Sequence, residues 1–254
     1  MLSLDQSSAL LNPRQTDRSP LGTFICSIDP TSVEIAARAG FDFVVVESEH
    51  VGIDRAMMIN HVRAAKASRC ALLVKTLDAQ SATLQSFLDI GATGLVVPHV
   101  DTAAEAERLA QACRYAPAGS RGMSFACYDG KYDPSDFGAR MARRNAATLL
   151  FPMIETRDGL DHVDEIAAVE GVDGLFFGPG DMANELGTDL FPGNALLTQA
   201  WARIYAACKQ KGILALAPAG LGYDDAGAYT SGIDHLFLYE AYRNAVTRHR
   251  ACQS

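Results

Sequence analysis

The chain has no surplus of basic residues: 22 lysines and arginines stand against 30 acids, for a net charge of −8. A nucleic-acid partner calls for a basic face and is therefore disfavoured, whereas a small anionic ligand needs only a local site. The six cysteines, Cys26, Cys70, Cys113, Cys127, Cys208 and Cys252, show neither CxxC nor zinc-ligand spacing. That argues against a disulfide framework and for a reduced, cytoplasmic setting. No basic start followed by an apolar run is present, and no stretch reaches the ~20 apolar residues of a membrane helix, so neither signal peptide nor membrane span is expected. Tryptophan occurs once, as Trp201 in a helix-like segment, where packing accounts for it.

What is present is a hydrophobic share of 48%, sufficient for a full core, and a regular alternation. Apolar runs that read as buried parallel strands recur at Gly22–Ser27, Phe43–Glu47, Ala71–Lys75, Gly94–Pro98, Thr148–Met153, Gly174–Phe177, Ile213–Ala217 and His235–Tyr239. Between them lie stretches with apolar residues three and four apart, such as Pro30–Ala39, Ile53–Lys66, Ser81–Ile90, Ala103–Cys113 and Leu196–Lys211. Eight such units in 254 residues predict a single (β/α)8 TIM barrel over residues 21–254, with the polar residues 1–20 as a flexible arm. Glycines at positions 40, 91, 171 and 232 read as helix ends placed just before strands. The long connection from Arg114 to Arg144 reads as a cover for the barrel mouth or a reach towards a neighbouring subunit.

A barrel carries its chemistry at the C-terminal strand ends. Those ends supply Glu47, Glu49 and His50 after the second strand, Lys75 on the third, His99 after the fourth, Glu155 after the fifth and Asp181 after the sixth. Two acids at neighbouring strand ends suit a hard divalent cation, which takes oxygen ligands and keeps waters that a substrate displaces. The glycines of Gly178-Pro179-Gly180-Asp181 let a ligand approach backbone N–H groups at a helix start, a ready anion site. Each acid taken singly also reads as the cap or first-turn residue of the helix that follows, and both readings stand at this level. His99, His162, His235 and His249 receive no role.

Several segments in order resemble the HpcH/HpaI aldolases, metal-dependent pyruvate aldolases related to the citrate-lyase β-subunit group. They are Phe43–His50, Leu88–Ala92 with Val96–Pro98, Arg114–Gly122, Ile154–Arg157, and Gly171–Gly174 through Gly178–Asp181. The resemblance implies that Glu155 and Asp181 bind a divalent metal (Mg²⁺, Mn²⁺ or Co²⁺), with Glu49 near a metal-bound water. It implies that the backbone at Gly180 and Asp181 holds the carboxylate of a pyruvate-type substrate. His50, paired with Glu47, is then the acid/base group at the aldol hydroxyl. It further implies a homo-oligomer, a hexamer or trimer of dimers, whose last helix is exchanged between subunits.

The chain departs from that pattern at three positions, with Lys75 for arginine, Glu47 for aspartate and Met153 for glutamine. Lysine keeps the charge but not the flat fork of donors, and methionine replaces a polar substrate contact with a flexible thioether. The expected activity is carbon–carbon cleavage or formation on a 2-oxo acid through a metal-bound enolate, with Lys75 as a second positive charge. Three rivals share the scaffold. One is a citrate-synthase-like or coenzyme A ester condensing enzyme whose acyl donor meets Arg114, Arg121 and Lys131. Another is a Schiff-base enzyme using Lys75. The third is a barrel that binds metal and ligand without turnover.

Overall fold

Short runs of branched and aromatic residues form eight parallel strands that close into a barrel in sequence order. The computed structural model describes residues 18–252. The strands are β1 (Leu21–Ile25), β2 (Phe43–Glu47), β3 (Ala71–Lys75), β4 (Gly94–Val97), β5 (Leu149–Ile154), β6 (Gly174–Phe177), β7 (Leu214–Pro218) and β8 (Ala228–Ile233). Alternation along each strand divides the core in two. Phe43, Val45, Leu73, Leu149, Phe151 and Phe176 fill the barrel interior. Val44, Val46, Leu72, Val74, Leu150 and Leu175 face outward to the helices. Phe43 fits because its neighbour across the β1–β2 pair is Gly22, where a Cβ would lie 2.3 Å from the ring.

The helices lie between the strands: α1 (Thr31–Ala39), α2 (Arg55–Ala67), α3 (Ser81–Asp89), α4 (Ala103–Cys113), α5 (Phe137–Ala147), α6 (Arg157–Asp161), α7 (Val163–Ala167), α8 (Pro179–Leu186), α9 (Ala195–Lys211) and α10 (Asp234–Ala251). Their starts follow capping chemistry. Asp54 accepts the Met57 N–H before α2, Asn194 accepts those of Leu196 and Leu197 before α9, and Thr102 with Glu105 forms a reciprocal capping box before α4. Helix α1 ends at Gly40, whose φ of +102° is the left-handed turn that favours glycine. Among the described residues no helix is long and apolar enough to cross a membrane, and all six cysteines are free.

One strand differs from expectation. The eighth is Ala228–Ile233, while His235–Tyr239 lies inside α10, and Gly232 (φ +68°) sits within the strand rather than ending a helix before it. The apolar residues after Ile233 do not enter the core: Leu236, Phe237, Leu238, Tyr239, Tyr242 and Val246 are all exposed, and among the described residues none of α10 is buried. Of the two expectations for the connection after Arg114, the cover over the barrel mouth is not what the structure shows. The connection docks on the C-terminal end of α3, through Asp129 N–H to Asp89 O (3.2 Å) and Gly122 N–H to Gln85 Oε1 (3.2 Å), away from the strand C-terminal ends. Of the expected arm over 1–20, residues 1–17 lie outside the described residues, and Arg18 pairs with Asp42 at 2.7 Å.

Candidate active site at the barrel mouth

Counting by twos along the strands brings the acids inward. On β5, Leu149, Phe151 and Met153 belong to the interior core, and the next residue in that series is Glu155. On β2 and β3, Phe43 and Val45 lead to Glu47, and Ala71 and Leu73 lead to Lys75, opposite each other in register. Polar side chains thus close the top of a hydrophobic plug.

Glu155 does not cap a helix. Helix α6 is capped by Thr156, whose hydroxyl accepts the Gly159 N–H at 3.0 Å. The Glu155 side chain is only 1% exposed, and its Oε1 accepts the backbone N–H of His99 at 2.8 Å. Its Oε2 is buried and has no hydrogen-bond partner among the described residues. An orphaned carboxylate oxygen is costly unless something positive meets it. Burial raises the Glu155 pKa above the ordinary glutamate range. The nearby charge of Asp181 adds to this, and the His99 N–H, the His99 ring and Lys75 oppose it. A buried acid whose ionisation a nearby carboxylate opposes in this way fits a divalent cation.

Gly178 forms the wall of this cradle. A Cβ there would lie 2.5 Å from Glu155 Oε2 and 3.0 Å from Met153 Cε, so only glycine leaves the oxygen free. Helix α8 begins at the next residue with Pro179 and no side-chain cap. Its first-turn N–H groups, at Gly180 and Asp181, have no partner within the helix. Both residues are exposed, and nothing lies within 4 Å of the position a Gly180 side chain would take. The geometry therefore suits an oxygen-rich cation beside an anion-binding helix start.

The second cluster is organised differently from the sequence reading. Glu47 lies near the His50 ring but makes no ion pair with it. Its Oε1 accepts the backbone N–H groups of Glu49 (2.6 Å) and His50 (3.2 Å), and its Oε2 lies 3.2 Å from Lys75 Nζ. The ring's acid partner is Glu49, whose Oε2 is 3.4 Å from His50 Nε2 and 2.6 Å from Lys75 Nζ. The chain turns just after Glu47, so the following residues fold over its carboxylate. Burial disfavours the Lys75 ammonium, but the hydrogen bond to Glu49 and the charges of Glu47 and Glu49 outweigh it and hold its pKa above the usual lysine value. Such a lysine is a poor nucleophile, which counts against a Schiff base. Ligand atoms of Glu47, Glu49 and His50 lie within 4.8 Å of one another, a second possible metal site, yet the ammonium already supplies the positive charge there.

His99 was missed. It follows β4, and its ring stands 3.3 Å (Nδ1) from Glu155 Oε1 and 3.5 Å (Nε2) from Glu49 Oε1, joining the two clusters. The only sequence signal was its position after a strand end. Arg114 and Arg121, considered as contacts for a large acyl donor, are buried elsewhere: Arg114 pairs with Asp173 (2.9 Å), and Arg121 with Asp89 (2.7 Å) and Asp129 (3.0 Å).

The model of the HpcH/HpaI aldolase/citrate lyase family matches residues 21–235. A hydroxypyruvate/pyruvate aldolase of Roseovarius nubinhibens is 34% identical over 237 residues, 91% of this chain and 92% of the relative. Among solved structures, an HpcH/HpaI aldolase/citrate lyase family protein from Burkholderia cenocepacia superposes with a TM-score of 0.86 at 27% identity, covering 96% of this chain and 99% of the other. The citrate synthase SbnG superposes with a TM-score of 0.85 at 25% identity, covering 95% and 97%. Barrel, strand-end acids and family match agree, and the chain belongs to the HpcH/HpaI aldolase/citrate lyase family.

Proposed function

We propose that this protein is a divalent-metal-dependent aldolase, a carbon–carbon lyase acting on a 2-oxo acid of the pyruvate or hydroxypyruvate type. The observation that carries the reading is the orphaned, buried Oε2 of Glu155 next to the charge of Asp181 at the barrel mouth. These two residues would hold Mg²⁺, Mn²⁺ or Co²⁺. When bound, the metal would supply Lewis-acid stabilisation of the negative charge that develops on the ketone oxygen.

The chain's own groups do the rest. The N–H groups of Gly180 and Asp181 take the substrate carboxylate, and Gly178 keeps the approach open. Met153, 7% exposed, presents an apolar surface beside it. His50, with its ring 64% exposed, can reach a substrate hydroxyl and exchange its proton, with Glu49 as the acid that orients it. Lys75 acts as the counter-ion that keeps Glu47 and Glu49 in place, and Glu47 in turn holds the backbone from which Glu49 and His50 project. A homo-oligomer in which α10 packs on a partner subunit, as in a hexamer of exchanged pairs, would cover the six large apolar side chains that this helix exposes. A cytoplasmic setting goes with free cysteines throughout.

A second reading, citrate-synthase-like condensation, draws support from the likeness to SbnG. The buried ion pairs of Arg114 and Arg121 remove two of the three cations it would use and leave Lys131, which stands over the Tyr128 ring. Chelator-stripped protein assayed with a panel of 2-oxo acids, and with oxaloacetate plus acetyl-coenzyme A, separates the two. Metal-restored aldol turnover supports the first reading; citrate formation without it replaces that reading with the second.

A further inference from the structure

His99 adopts φ +53°, a left-handed conformation uncommon for any residue with a side chain. Such an outlier persists only where its surroundings over-determine it, and such positions cluster at functional sites. Here three contacts do so. The backbone N–H donates to Glu155 Oε1 at 2.8 Å, Nδ1 lies 3.3 Å from that same oxygen, and Nε2 lies 3.5 Å from Glu49 Oε1. One residue thus meets Glu155 twice on a single oxygen and leaves the other, Oε2, without a partner.

We propose that His99 is a positioning residue for the metal-binding carboxylates. It fixes Glu155 through Oε1 so that Oε2 stays available to a cation, and it ties the acid that accompanies His50 to the same frame. A helical or extended backbone at this position would withdraw the N–H, and a shorter side chain would withdraw the ring. The ring is 53% exposed, so it packs against no hydrophobic core whose loss would mimic the effect. The inference rests on the assignment of Glu155 as a metal ligand.

The test is Mn²⁺ titration of the full chain, followed by the EPR signal of free Mn²⁺, with the melting temperature recorded alongside. Glycine accepts φ +53° without strain. His99→Gly should therefore melt at or above the wild-type temperature while its Mn²⁺ dissociation constant rises about tenfold or more, the effect usual for groups that orient metal ligands. Asparagine also tolerates the left-handed region and offers an amide donor near the place of Nδ1, so His99→Asn should recover most of the affinity. Wild-type affinity in His99→Gly overturns the inference and leaves the metal assignment intact. A folded His99→Asn that binds as weakly as His99→Gly also overturns it, because orientation through Glu155 Oε1 would then not be the cause. No Mn²⁺ binding by the wild type, or unchanged binding in Glu155→Gln, overturns the metal assignment and this inference together.

Discussion

Replacing Lys75 with methionine tests whether this lysine is a buried counter-ion or a dispensable charge. Its ammonium lies 2.6 Å from Glu49 and 3.2 Å from Glu47, with side-chain exposures of 6%, 16% and 7% for the lysine and the two acids in that order. Methionine preserves the length of the stem and removes the charge, leaving two carboxylates facing each other in a site largely shut off from water. Breaking a buried pair costs about 3–5 kcal/mol, since the remaining charge is uncompensated. The partial exposure of Glu49 places the expected loss at about 3 kcal/mol. At roughly 2–4 °C per kcal/mol for a domain of this size, the melting temperature should fall by at least about 6 °C. Urea unfolding at neutral pH reads the loss directly. The variant also frees Glu47, Glu49 and His50, whose ligand atoms lie within 4.8 Å, so Mn²⁺ should stabilise Lys75→Met more than it does the wild type. Stability within about 1 kcal/mol of wild type, or an identical response to Mn²⁺, would refute the counter-ion reasoning.

Three further outcomes follow from the geometry. His50→Ala should lower aldol cleavage by roughly 10²-fold while sparing oxaloacetate decarboxylation, which needs no base at an aldol hydroxyl; equal losses in both assays would show that His50 holds the site together instead. Gly178→Ala should abolish Mn²⁺ binding, because the new Cβ would lie 2.5 Å from Glu155 Oε2, and an unaltered dissociation constant would contradict the placement of that oxygen. At a distance from the site, burial and then the charges of Arg144 and Lys131 push the Lys66 pKa down to about 8 from the usual 10.5. In that window the unfolded chain holds a proton that the folded chain has lost, so Lys66 makes stability rise with pH. Lys66→Met should flatten that rise and stabilise the protein at pH 7; an unchanged slope in urea unfolding would count against it.

Much of this was legible because strands alternate. The strand ends carrying Glu47 and Glu155 were readable from the apolar runs, and the parity that Phe151 and Met153 share with Glu155, and Phe43 and Val45 with Glu47, explains why both acids turn inward. Side-chain pairing was not readable, because it depends on the path of the chain after the strand. The turn beyond Glu47 gives that carboxylate to backbone N–H groups and to Lys75, and gives the His50 ring to Glu49. His99 was hidden for a similar reason: only its left-handed backbone aims both N–H and ring at Glu155. The closing strand failed on composition. Its Thr230, Ser231 and Gly232 look like a turn, whereas Leu236–Tyr239 look like a strand but belong to a helix whose apolar side chains stay exposed among the described residues. Hydrophobic patterning alone does not tell a strand from a helix in so short an apolar run.

On the proposed function, Glu155 and Asp181 would hold a divalent cation that would stabilise the charge left when a pyruvate-type substrate loses a methyl proton. Exchange of the pyruvate methyl protons in D₂O, followed by proton NMR, tests this without knowledge of the physiological partner. The account predicts rapid exchange with protein plus Mg²⁺ or Mn²⁺, and none above background after chelator treatment or in Asp181→Asn. Undiminished exchange in the chelator-treated protein would contradict it.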